Sequence, residues 1–289
     1  MNDAVRQMLA RHRPNTPADH IRALREVLQE LALLGLWRSK FYEHAAFYGG
    51  TALRVVHGLD RFSEDLDFSL LAPNPGFALA RYLAALETEL RAFGFDVRAH
   101  EKADAARRTA IHSAFLKTQT LRELVSIKTP DTITRGIHRD RVLTIRIEVD
   151  TDPPPEFETD VRYVLSPIPF AVRVYALPDL FAGKMHALLC RRWKTRVKGR
   201  DWYDLVWYVG HHPQLRLSHL EARMRHSRDW TGSASLTRAD LLDQLRTAIA
   251  NLDVGQVRQE MDRYVRDTSS LTLWSREFFL QIAERIETV

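Results

Sequence analysis

Cysteine is nearly missing from this sequence: Cys190 is the single one in 289 residues. That excludes an internal disulfide and any zinc cluster built on several thiolates. Its neighbours Ala187, Leu188 and Leu189 predict a buried, inert thiol. No run of 18 or more apolar residues occurs, so no segment reads as a membrane-spanning helix. The first residues, Met-Asn-Asp-Ala-Val-Arg-Gln, lack the apolar core of a signal peptide, and cytoplasm is the expected location, with no membrane partner. Lysine is scarce too, seven of 42 basic residues, an arginine bias that by itself carries no function. The length allows one or two domains with a sizeable core. A formal charge of +5 is a mild lean toward anionic partners.

What is there concentrates in residues 45–71. Apolar Ala45 to Tyr48 lead into Gly49-Gly50-Thr51, then a short apolar helical pattern, Gly58, a polar turn, and Asp65-Leu66-Asp67-Phe68. The order reads strand, tight turn, helix, loop, strand. A glycine pair lets backbone N–H groups approach a ligand at a helix N-terminus, where the dipole favours phosphate. Asp65 and Asp67, at i and i+2 of a strand, project from one face about 7 Å apart, while Leu66 and Phe68 face a core. Two such carboxylates can hold Mg²⁺, which binds oxygen and shares its shell with substrate phosphates. The ordinary alternatives are a plain turn and a solvated strand edge.

Elsewhere the patterns are mostly architectural. Residues 16–36 predict an amphipathic helix, with Thr16 as cap, Pro17 in the first turn and Asp19 three after the cap. Residues 77–93 predict another, ended by Gly94, and a short strand should follow at 95–100. The mixed, polar stretch 101–140 gives no order. Lys128 within it is either a solvated strand lysine or a phosphate contact. Strict alternation at 142–150 predicts a strand with Leu143, Ile145, Ile147 and Val149 on one face. Arg146, Glu148 and Asp150 take the other, as an exposed charge pair or a third carboxylate for the site.

Asp152-Pro-Pro-Pro155 cannot continue a strand. It predicts a boundary between residues 1–155 and a mainly helical 156–289. Short strands are expected at 161–165 and 170–176, then a helix at 178–193 opened by Pro178 and Asp179. Lys184 lies there among small and apolar residues, poorly placed for free solvation. Asp201 and Asp204, at i and i+3, share a helical face; Asp201 could equally cap that helix after Gly199. Arg191, Arg192, Lys194, Arg196, Lys198 and Arg200 put six positive charges in ten residues, near Trp193 and Trp202. They make either a solvated loop or a track for an RNA backbone or triphosphate. The tail, 215–289, predicts three helices, one opened by a Thr237–Asp240 capping box, and these read as packing faces.

Two stretches carry a resemblance. GGTALRVVHGLDRFSEDLDF resembles the first motif of the AbiEii/AbiGii family of nucleotidyltransferase-like toxins, of the type IV toxin–antitoxin class. LPDLFAGKMHALLCRRWKTRVKGRDWYDLVWYV resembles its second long signature, a helical lysine followed by Lys-Gly-Arg-Asp-x-x-Asp-Leu. The likeness covers roughly residues 20–70 and 140–210 and, in the tail, helical character alone. It implies an α+β fold: a nucleotidyltransferase mixed sheet flanked by helices, with a helical C-terminal half. It implies Mg²⁺-dependent transfer of NMP from a nucleoside triphosphate to an RNA end, such as tRNA, or to a protein hydroxyl, in a protein restrained by a cognate antitoxin. Asp65 and Asp67 would hold one or two Mg²⁺ ions, joined by Glu148, with Asp150 in reserve. Gly49, Gly50 and Thr51 would hold phosphates, and Lys184 and Arg61 would offset their charge. Glu148 or Asp204 would position or deprotonate the acceptor hydroxyl, with Asp201 as the alternative to Asp204 at the active site, and Ser63 would shape the loop or serve as an acceptor. One departure is Thr51, where the family's turn often has serine; the hydroxyl is kept, but modification of that residue becomes doubtful. A small-molecule nucleotidyltransferase and a non-catalytic binding module on the same fold are the competing readings.

Overall fold

The computed structural model describes residues 3–101, 120–128, 142–191 and 198–289, with backbone alone at 98–101, 120–128 and 142. The chain divides into two compact units. One holds residues up to 58, 63–153 and 160–174; the other holds 59–62, 154–159 and 175–289.

The first unit begins with α1 (Asp3–Arg11) and α2 (Pro17–Arg38). Helix α2 starts where its local chemistry dictates. The Thr16 hydroxyl accepts the Asp19 N–H, and the Asp19 carboxylate accepts the Thr16 N–H in return. One apolar stripe, Leu24, Val27, Leu28, Leu31 and Leu34, is fully buried; each such side chain contributes roughly 1.5–3 kcal/mol relative to exposure. It packs on α4 (Ala80–Ala92) where Gly35 admits close approach: a Cβ there would lie 3.2 Å from the Leu86 Cα.

The sheet has strand order β3-β4-β5-β2-β1-β7-β6 among the described residues. Its strands are β1 (Ala45–Tyr48), β2 (Asp65–Leu70), β3 (Asp96–Glu101), β4 (Thr120–Lys128), β5 (Val142–Asp150), β6 (Thr159–Val164) and β7 (Phe170–Tyr175). β1 and β2 are antiparallel, whereas β2 and β5 run parallel, so the sheet is mixed. This is the expected α+β architecture. Helix α3 (Gly49–His57) leaves β1 directly. Leu66 and Phe68 face a core with Ile147 and Val149, all buried, as alternation predicts. Phe68 stacks on Phe47 with centroids 5.2 Å apart and meets Phe41 edge-on at 4.9 Å. Strand β4 arises in the stretch that periodicity left unordered. The side chain of Lys128 lies outside the described residues.

The second unit is built on α5 (Leu177–Cys190), α6 (Gly199–His211), α7 (Leu217–Ser227), α8 (Arg238–Ala250), α9 (Val254–Met261) and α10 (Arg276–Glu284). Four of these lie beyond residue 215, against three expected. The missed one is α7, a largely polar helix with a buried face of His219, Leu220 and Met224, too narrow to show as a stripe. Thr237 and Asp240 form the predicted reciprocal cap of α8. A short parallel ladder, β8 (Gln214–Leu215) with β9 (Glu287–Thr288), ties the C-terminus back to the start of α7. Gly199 is required by packing: a Cβ there would lie 2.5 Å from the Val257 carbonyl of α9.

Candidate active site

The first unit gathers the signature residues about the β1–α3 turn. Tyr48, in the cap position of α3, is extended, and its side chain makes no cap hydrogen bond. Gly49 takes φ +81°, a left-handed conformation natural to glycine. Register explains what comes near it: Tyr48 of β1 pairs with Asp67 of β2, and Asp67 pairs with Glu148 of β5. The Asp67 carboxylate packs over the turn so closely that a Cβ on Gly49 would lie 2.5 Å from its Oδ2. Asp65 is one pair along, opposite Arg146. Asp65, Asp67 and Glu148 therefore share one face of β2 and β5, partly exposed, with the core on the other.

This face carries charge of both signs. The Arg146 guanidinium lies 3.8 Å from Asp65 and 3.7 Å from Glu148. The donor set, three carboxylates beside the N-terminus of α3, is of the oxygen type that Mg²⁺ takes. The three carboxylates are not drawn together within 4.8 Å as a ready metal cluster. Asp150, the reserve, is turned to the backbone, accepting the Asp152 N–H at 3.1 Å.

Thr51 and Ser63 are placed as structural members of the turn and loop. The Thr51 hydroxyl, fully buried, donates to the Asp65 carbonyl and fixes α3 to the start of β2. It is thereby committed to backbone rather than open to phosphate. The Ser63 carbonyl accepts from the buried Gln29 amide at 3.2 Å, which also holds the Glu64 carbonyl at 3.0 Å.

Within the second unit the remaining predicted residues form a buried ionic cluster. Arg61 grips Asp204 with both arms of its fork: Nε to Oδ1 at 2.5 Å and Nη2 to Oδ2 at 2.6 Å. Its third donor, Nη1, reaches the Phe62 carbonyl at 3.0 Å. Lys184 of α5 adds a contact from Nζ to Asp204 Oδ2 at 2.8 Å. Arg61 is 2 % exposed and Asp204 not at all. Burial alone would raise the Asp204 pKa; the charges of Arg61 and Lys184 and their hydrogen bonds outweigh it and hold the group below the usual carboxylate range. Arg61 is likewise held above its ordinary value by Asp204, against its burial.

Asp204 has both oxygens engaged, by Arg61 and by Lys184, an arrangement that anchors those two cations. Arg61 is enclosed with it rather than presented to a ligand; Lys184 keeps 15 % of its side chain exposed. The segment 59–62 is further tied down by Tyr203 donating to Asp60 at 2.6 Å and by the Phe62 N–H donating to the Tyr264 carbonyl at 2.8 Å. Asp201 does not cap α6, because the helix starts at Gly199 and Lys198 holds the cap position. It sits in the first turn, mostly buried, where its charge favours the dipole.

Of the six-charge run, Arg192, Lys194 and Arg196, with Trp193, lie outside the described residues. Burial and the nearby charges of Arg191 and Arg200 push the Lys198 ammonium down to about 8. Sequence reasoning missed Asp179 as a buried ionic partner. It accepts the Glu158 N–H at 3.2 Å and lies 2.9 Å from Arg216 Nε. Its place after Pro178 suggested only a helix start.

Similarity to known proteins falls on the same ground. Two Helicobacter pylori structures, a candidate nucleotidyltransferase and JHP933, share the fold at TM-score 0.53 each. Both are 19 % identical to this chain; the first match covers 91 % of this chain and 92 % of the other, the second 92 % and 91 %. None of the curated proteins matches the sequence at a significant level. The family profile described as nucleotidyl transferase AbiEii toxin, type IV TA system, matches residues 31–282. With nearly the whole chain so matched, the protein belongs to the AbiEii family of nucleotidyltransferase toxins.

Proposed function

We propose that this enzyme transfers a nucleoside monophosphate from a nucleoside triphosphate to an RNA end, with tRNA the first acceptor to test. The observation that carries the reading is the Asp67 carboxylate seated on the Gly49 turn and in register with Glu148. Helix N-terminal N–H groups offer a cradle for triphosphate oxygens, and the adjoining carboxylates offer the oxygen ligands that a phosphate-bound Mg²⁺ needs. Mg²⁺ bound there would neutralise charge on the transferring phosphoryl group.

Asp65 and Asp67 hold the ion in this reading, with Glu148 as third ligand or as the group orienting the acceptor hydroxyl. The family likeness assigns Lys184 to the nucleotide phosphates; within the helical unit it is paired with Asp204. The basic groups at Arg191, Lys198 and Arg200 favour a polyanionic acceptor over a small neutral one. A cognate antitoxin, as the type IV family implies, would restrain the activity.

The test is incubation with each of the four α-labelled nucleoside triphosphates and total RNA, with Mg²⁺ or with EDTA. Label should appear on RNA, with one nucleotide preferred and only with the divalent ion. Label on protein would move the acceptor to a protein hydroxyl. Label on neither, with a wild-type fold confirmed, would overturn the RNA assignment.

A further inference from the structure

Beyond the nucleotidyltransferase residues, α5 carries a second chemistry. His186 and Cys190 are at i and i+4, one turn apart, and therefore share a helix face. Helix α7 packs against α5. It ends on Arg228, whose left-handed φ of 63° turns the chain sharply. The Asp229 N–H is then caught by the Met224 carbonyl at 2.8 Å. This reversal brings the Asp229 carboxylate to the His186–Cys190 face. One ligand atom from each of the three residues lies within 4.8 Å of the other two, the single such cluster among the described residues. The Ser227 hydroxyl touches two of them: Oγ is 2.9 Å from His186 Nε2 and donates to Asp229 Oδ2 at 2.6 Å.

We propose that His186, Cys190 and Asp229 bind a zinc ion, with Ser227 orienting two of the ligands and a fourth position left to water. The donor types select the metal. Imidazole, thiolate and carboxylate together suit Zn²⁺ in tetrahedral coordination, whereas Mg²⁺ and Ca²⁺ take oxygen alone. Charge balance is favourable: one thiolate and one carboxylate neutralise the dication, so the nearby Arg191 and Arg223 meet a neutral site. Loading exchanges the sulfur–hydrogen bond for a sulfur–metal bond and releases one proton to solvent. Cys190 is half-buried beside polar partners, not enclosed as its apolar sequence neighbours suggested.

Without metal, the same side chains would be only a His–Ser–Asp hydrogen-bonded link between α5 and α7, and cobalt separates the two cases. The full chain is stripped with EDTA and titrated with Co²⁺, then with Zn²⁺. Expected are a sulfur-to-cobalt charge-transfer band and tetrahedral d–d bands that saturate at about one equivalent per chain. Zn²⁺ should displace both. Cys190→Ser should abolish the charge-transfer band, and Ser227→Ala should weaken binding about 10-fold. A carboxylate-only site elsewhere in the chain gives no sulfur band. No band, or a band unchanged in both His186→Gln and Asp229→Asn, overturns the site. If Cys190→Ser fails to fold, stoichiometric zinc retained by the wild type after gel filtration and lost from both His186→Gln and Asp229→Asn decides the matter.

Discussion

The two acidic regions of this protein use carboxylates in opposite ways. On the sheet face, Asp65 keeps 36 % and Glu148 20 % of the side chain exposed, within reach of solvent even with Arg146 beside both. In the helical unit, Asp204 is fully enclosed and already holds Arg61 and Lys184. A buried ion pair adds little net stability against a well-packed apolar replacement, but losing one member strands the other charge out of water. The same family signature thus marks two kinds of aspartate. Burial separates the kind that can meet a ligand from the kind that supports its neighbours.

The sharpest test of that difference is Asp67→Asn. If Asp67 acts only through a bound cation, nucleotidyl transfer should fall by about 10³-fold, since metal stabilisation of a phosphoryl group contributes several kcal/mol. The melting temperature should stay within about 2 °C of the wild type, as for a part-exposed substitution. Equal losses of stability and activity would show a structural carboxylate and erase the contrast.

Asp204→Ala should reverse the pattern. Chemical denaturation should show destabilisation of about 3–5 kcal/mol, the range for orphaning a buried charge. The pH dependence follows from the lowered pKa of Asp204. Its stabilisation is fully present above the unfolded carboxylate value near 3.8, and it is lost as pH falls through the still lower folded value. The variant should lose stability at neutral pH and show a flatter acid limb in a pH series. Unchanged stability would mean that Arg61 can rehydrate, and the buried cluster would then be no anchor.

Much of the sheet-face region was legible because its determinants are local. The glycine pair, the Asp-x-Asp alternation and the 142–150 periodicity each span fewer than ten residues, and strand register does the rest. The helix caps at Thr16 and Thr237 were readable for the same reason. The buried cluster was not, because Arg61 and Asp204 are 143 residues apart, and nothing in either neighbourhood names the partner. The family likeness even implied that the arginine would serve the same ligand. Gly199 looked like part of a motif, while its packing reason, the α9 backbone, lies some sixty residues on. His186 and Asp229 likewise meet only because Arg228 turns the chain back.

A pair of glycines refines the sheet-face side of the comparison with the smallest effect. Gly49 and Gly58 bracket α3, and both take left-handed conformations, at φ +81° and +78°. Placing an L-residue there costs roughly 1–2 kcal/mol at either position. The surroundings differ: a Cβ on Gly58 meets nothing within 4 Å, whereas one on Gly49 would run into Asp67 Oδ2 at 2.5 Å. Gly58→Ala should therefore lower stability by about that strain and leave transfer nearly unchanged. Gly49→Ala should lose a similar amount of stability but must also move the Asp67 carboxylate off the turn, and transfer should fall by about 10-fold or more, as misplacing a catalytic group does. Subtracting the two variants removes the shared backbone strain and leaves the effect of that displacement. If they lose activity equally, the contact between Asp67 and the turn has no part in transfer.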